Sequence, residues 1–138
     1  MNAYRLIEHT ADAGIEVTAP DAQTLFIEAG RALCDLLAMA EGSCDGLAYE
    51  ITLDGADWTD LMINWLRELL YLFNGQELLA RKITITQLHP TQIEARLLCD
   101  RVDRRRHVPG HEIKAVTYHQ ARVTAGAESW LAQVIFDL

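Results

Sequence analysis

The stretch Arg81-Lys82-Ile83-Thr84-Ile85-Thr86-Gln87-Leu88-His89-Pro90-Thr91-Gln92-Ile93-Glu94-Ala95-Arg96-Leu97 decides the fold, because within it the hydrophobic period becomes two. Ile83 and Ile85 alternate with Thr84 and Thr86, and Ile93, Ala95 and Leu97 alternate with Gln92, Glu94 and Arg96. Alternation of this kind marks strands with one buried face, and His89-Pro90-Thr91 between the two runs turns them into a hairpin.

Upstream of Arg81 the period is helical. Trp58, Leu61, Met62, Trp65, Leu69, Leu72 and Phe73 share one side of a helix, and Leu66 and Leu70 widen the apolar face to most of its circumference, so this should be the most buried element. Asp57 is a suitable N-cap, Asp60 complements the positive helix start, and Asn74-Gly75 predicts a left-handed stop. An earlier amphipathic helix opens at Pro20-Asp21 and carries Leu25, Phe26, Ala29, Leu33, Leu36, Leu37 and Ala40 at the same spacing, with Glu41-Gly42-Ser43 breaking it. Short strands are expected at Tyr4 to Glu8, Gly14 to Thr18 and Tyr49 to Leu53, and two longer ones at Ile113 to Val123 and Trp130 to Phe136. The order describes a single α+β domain over residues 1–138: a mixed, mostly antiparallel sheet with two main helices packed on one face.

The chain has 138 residues, half of them hydrophobic, which is the balance of a globular protein with a packed core. Twenty acidic against twelve basic residues give a formal charge of −8, the wrong sign for gripping a nucleic-acid backbone across a broad face. Yet Arg96, Arg101, Arg104, Arg105, Arg106, Lys114 and Arg122 gather seven of the twelve cations within one short stretch. Cys34, Cys44 and Cys99 have no C-x-x-C spacing, which argues against a disulfide framework and a thiolate zinc site. No apolar run approaches the roughly 20 residues of a membrane span, and the first residues lack the layout of a secretory signal. A cytoplasmic location without membrane contact is the expectation.

Candidate chemistry lies in three places. The loop His9-Thr10-Ala11-Asp12-Ala13 offers a hard carboxylate oxygen, although Asp12 also suits a turn before Gly14. Asp137 follows the apolar strand Trp130 to Phe136, which should hold it and Leu138 in the sheet rather than let them fray. Should that strand meet the first loop, Asp12, Asp137 and terminal oxygens form an oxygen-only site for Ca2+ or Mg2+. Lys114 should project on the side of Val116 and Tyr118, although an exposed strand lysine is commonly harmless. His107 and His111 have an H-x3-H spacing, but Pro109-Gly110 between them disfavours the helix that a zinc pair needs. Arg101 to Arg106 reads as a solvated loop partly neutralised by Asp100 and Asp103. No nucleophile elbow, P-loop or G-x-G-x-x-G occurs, so the chain lacks a catalytic motif of its own.

Four segments together resemble the archease family: Ile7-Glu8-His9-Thr10-Ala11-Asp12-Ala13-Gly14, then Leu66-Arg67-Glu68-Leu69-Leu70-Tyr71-Leu72-Phe73, then Arg106-His107 leading into Glu112-Ile113-Lys114-Ala115-Val116-Thr117-Tyr118-His119, and the apolar strand ending Asp137-Leu138. Ala13 is a mild departure, since the family usually has Val or a similar residue after the aspartate. The resemblance implies an α+β protein that activates the GTP-dependent RNA ligase of tRNA splicing and RNA repair, promoting its guanylylation and multiple turnover without forming the phosphodiester bond. It implies Asp12, Asp137 and an oxygen of Leu138 as ligands of a divalent cation, Ca2+ first with Mg2+ or Mn2+ as alternatives, and Lys114 as a required lysine. RNA would be met only through the ligase. The other reading is a chaperone-like modulator of several nucleic-acid-processing enzymes.

Overall fold

The structure, a computed structural model, describes residues 4–8, 12–103 and 105–138, with Glu8 by its main chain only. His9, Thr10 and Ala11 of the first loop and Arg104 of the arginine run lie outside the described residues. The elements follow in the order β1 (Tyr4–Glu8), β2 (Asp12–Ala19), α1 (Ala22–Leu37), β3 (Ala38–Ala40), β4 (Leu47–Asp54), α2 (Trp58–Gln76), β5 (Leu78–His89), β6 (Gln92–Arg101), β7 (His107–Pro109), β8 (Ala115–Ala125) and β9 (Trp130–Asp137).

The α+β class holds, with two helices and antiparallel pairing between the described strands. The strands divide among three sheets: β1-β2-β9-β8, β4-β6-β5, and the small ribbon β3-β7. The hairpin anticipated from residues 81–97 is β5–β6, closed by Pro90-Thr91 with His89 opposite Gln92. Both helices touch both large sheets. α1 lies on β2 and β9 and also on β5, while α2 lies on β8 and also on β5, β4 and β6. One main core results, with Ile15, Phe26, Leu33, Trp65, Leu66, Leu97 and Phe136 fully buried in it, beside a small cluster of Cys34, Ala38 and Leu79.

The helix starts behave as their sequences dictate. The Asp21 carboxylate accepts the Thr24 N–H at 2.7 Å to begin α1, and Asp57 accepts the Asp60 N–H at 2.8 Å to begin α2. Each satisfies one of the four donors that a helix start leaves open. Trp65 explains how the helices lock together: its ring is fully buried and its Nε1–H donates to the Phe26 carbonyl of α1 at 2.9 Å.

The helix ends differ from expectation. α1 stops at Leu37 rather than Ala40, because Ala38–Ala40 pairs as β3 with His107–Pro109, a partner nearly seventy residues away. α2 runs through Asn74-Gly75 to Gln76, and the C-cap Glu77, with a φ of 56°, supplies the left-handed residue. Asn74 has a different task, its amide donating to the Ile113 carbonyl at 3.0 Å.

Candidate functional site

Strand β9, last in sequence among the described elements, is inserted between β2 and β8, and this brings the sequence-predicted residues together. Asp12 is the register partner of Asp137 on one side of β9, and Ala115 is its partner on the other. Directly opposed residues of antiparallel strands hold their side chains on the same face within about 5.5 Å at Cβ, so the two aspartates are neighbours. Oδ1 of Asp12 is buried with no hydrogen-bond partner among the described residues, an acceptor of the kind that calls for a cation or donor. Leu138 follows directly and packs partly buried against the core. Among the described residues no three His, Cys, Asp or Glu side chains cluster, so a cation here would take two carboxylates and complete its shell from main-chain oxygen and water. The donor set is all oxygen and fits a hard divalent ion. His9 lies outside the described residues.

Lys114 sits one residue before β8, and its N–H donates to the Asp137 carbonyl at 2.7 Å, extending the ladder to the aspartate row. Side-chain alternation turns it to the other face of the sheet, where α2 packs. There it lines a shallow groove of about 430 Å3 with Arg67, Leu70, Tyr71, Asn74, Gly75, Ala115 and Val116. Polar side chains of α2 fix the main chain on both sides of Lys114: Asn74 holds the Ile113 carbonyl, and Arg67 Nε and Nη2 donate to the Val116 carbonyl at 3.2 and 3.1 Å. The Arg67 guanidinium lies over the Tyr118 ring, 4.8 Å from its centroid. The Tyr118 hydroxyl donates to Asp60, a bond that raises the tyrosine pKa and lowers that of the carboxylate. The sequence reading gives Arg67, Tyr71 and Asn74 no site role: the first two enter only within the segment that resembles the family, and Asn74 only as a helix stop. Their offsets of 0, 4 and 7 put three polar-edged side chains on one stripe of a helix otherwise apolar, which is the signal that was there.

The arginine run holds a second polar assembly rather than a purely solvated loop. Asp100, at 0% exposure, accepts from Arg81 Nη1 at 2.5 Å and from the Asp45 N–H at 2.7 Å, and Arg106 Nη2 stands 3.5 Å away. His107, at 2% exposure, directs Nε2 to Asp100 at 2.9 Å and accepts the Asp103 N–H on Nδ1 at 2.8 Å. That pair of bonds fixes the neutral tautomer with the proton on Nε2. Both ring nitrogens are engaged, which removes His107 from any zinc pair with His111. Burial opposes ionisation of Asp100, but the His107, Asp45 and Arg81 hydrogen bonds and the Arg81 charge outweigh it and hold the carboxyl far below its ordinary range. Burial pushes the Cys34 thiol up to about 12 and that of Cys99 up to about 11, so neither offers a thiolate at neutral pH. No described helix is long and apolar enough to cross a membrane.

These features define a small α+β protein whose polar chemistry is concentrated where two distant segments flank β9. The sequence profile described as "Archease protein family (MTH1598/TM1083)" matches residues 4–138, and the chain belongs to that family. A protein archease of Methanosarcina barkeri is 31% identical over 139 residues, covering 98% of this chain and 95% of that one. The solution structure of Methanobacterium thermoautotrophicum protein 1598 superposes with a TM-score of 0.76 at 25% identity, with all of both chains covered. The crystal structure of a Thermotoga maritima protein named "an archease, possible chaperone" gives 0.68 at 21% identity over 97% of this chain and 96% of that one, a likeness of fold.

Proposed function

We propose that this protein activates a GTP-dependent RNA ligase in tRNA splicing or RNA repair, promoting ligase guanylylation and multiple turnover while catalysing no step itself. Asp12, Asp137 and a main-chain oxygen of Leu138 would hold the divalent cation, Ca2+ first and Mg2+ or Mn2+ as alternatives. Family membership supports the reading, and the observation that carries its metal part is the buried Asp12 Oδ1, without a partner among the described residues and opposite Asp137. When bound, such a cation supplies positive charge against phosphate oxygens, the demand that a triphosphate makes during nucleotidyl transfer.

The chain's own residues do the positioning. The β2–β9 ladder holds the two carboxylates on rigid strands rather than on a loop, which keeps them pointed at one spot without ordering a segment at each encounter. Lys114 is placed within a strand of them by its bond to the Asp137 carbonyl. The deciding experiment measures covalent guanylylation of purified ligase with and without this protein. Asp12→Asn is expected to abolish the stimulation and weaken Ca2+ or Mn2+ binding in calorimetry, with the circular dichroism of the wild type. Full stimulation by that folded variant would refute the metal reading. The name of the Thermotoga neighbour keeps a chaperone-like modulator in view; that activity should survive Asp12→Asn and extend to unrelated nucleic-acid enzymes.

A further inference from the structure

Two cations of this acidic chain converge on the groove between α2 and the start of β8, and among the described residues neither forms an ion pair. Lys114 is exposed, and among the described residues its ammonium has no hydrogen-bond or ion-pair partner, its main-chain N–H being held by Asp137. Arg67 is held by the Val116 carbonyl and the Tyr118 ring, which orients the guanidinium along the groove it lines. Between them the floor is apolar, from Leu70 and Val116, and Tyr71 stands at the wall with 52% of its surface exposed. An oriented arginine, an exposed tyrosine and an apolar floor are the composition of an interface anchor point.

We propose that this groove is the docking site for an acidic segment of the client ligase, a carboxylate received by Arg67 and Lys114 with an apolar neighbour seated on Leu70 beside Tyr71. The proposal rests on the ligase reading above and deepens it by separating docking from metal holding on opposite faces of one sheet end. A guanidinium fork matches a carboxylate in a bidentate fashion. Charge favours a protein occupant over nucleic acid: the chain carries −8, so a phosphate backbone extending beyond the two cations would run onto a mostly acidic molecule. One carboxylate on a loop needs to meet only the two cations.

The test measures affinity of the full chain for the purified ligase by calorimetry. Tyr71→Ser and Lys114→Glu are expected to weaken binding by about tenfold or more, the effect of losing one anchor. Asp12→Asn should bind as the wild type does while failing to stimulate guanylylation. A photo-crosslinking residue at position 71 should join the ligase within a segment that contains Asp or Glu. Unchanged affinity of the folded Tyr71→Ser and Lys114→Glu variants overturns the proposal, as does a crosslink to an added 3′-phosphate RNA oligonucleotide or to a ligase segment without acidic residues. Full stimulation by Asp12→Asn sinks the metal reading and leaves docking standing; no binding by the wild type sinks both.

Discussion

At the scale of single residues, Asp100 shows what a buried charge needs in order to persist. Hydrogen bonds from β5, β7 and the 41–46 loop surround a carboxylate that sequence alone places in an ordinary acidic-basic loop. Asp100→Ala should cost about 3–5 kcal/mol in urea denaturation, because Arg81 and Arg106 would keep their charges while losing their common partner. The pH dependence follows from the lowered folded-state pKa. The unfolded chain takes up the Asp100 proton near the ordinary 3.8 and the folded protein resists it, so the contribution is fully present above that value. It is lost progressively as the pH falls below 3.8, and the difference between wild type and Asp100→Asn should shrink over that acid range in denaturant titrations at stepped pH. Asp12 and Asp137 stand out in the sequence as candidate ligands through hard-ligand chemistry, family likeness and the apolar strand that precedes Asp137, while their meeting across β2 and β9 is seen only in the fold. Asp100 does not stand out, because its partners Arg81 and Asp45 are 19 and 55 positions away and nothing in their spacing links them.

At the scale of elements, what sequence determines locally was readable and what contact determines was not. Asp21 and Asp57 cap the helices as their side chains dictate, and the β5–β6 hairpin turns where period and proline put it. The C-terminus of α1 is the contrary case. Its last carbonyls are satisfied by the segment after β7: Gly110 N–H donates to Leu37 at 3.0 Å and His111 N–H to Leu36 at 2.7 Å. A Cβ at Gly110 would stand 2.1 Å from the Leu36 carbonyl oxygen, so the close approach depends on that glycine. Gly110→Ala should therefore destabilise the protein by about 1–3 kcal/mol, because main chain rather than a side-chain tip must move. Thermal unfolding would read this as a lower midpoint, and an unchanged midpoint would show that the crossing is looser than its geometry. The stop expected at Asn74-Gly75 failed for a related reason: the packing of α2 against β8 carries the helix on and gives Asn74 a partner across space.

At the scale of the molecule, the two helices and the longer strands were legible, but the short β3 and β7 and the partition into sheets were not, since periodicity gives a strand a buried face but no neighbour. The consequential pairing joins β2 to β9 across most of the chain. With so much of the sheet made from partners distant in sequence, refolding in stopped-flow dilution should take roughly milliseconds to seconds rather than microseconds. A microsecond phase that carries the full amplitude would contradict this.

The insertion of β9 between β2 and β8 also bears on the order of assembly. Until β9 is seated, β2 and β8 have a vacant lane between them, and Asp12 has no Asp137 to face. Closure of the sheet and assembly of the carboxylate pair are thus one event, so any state of the chain with β9 detached lacks both a finished core and the paired aspartates.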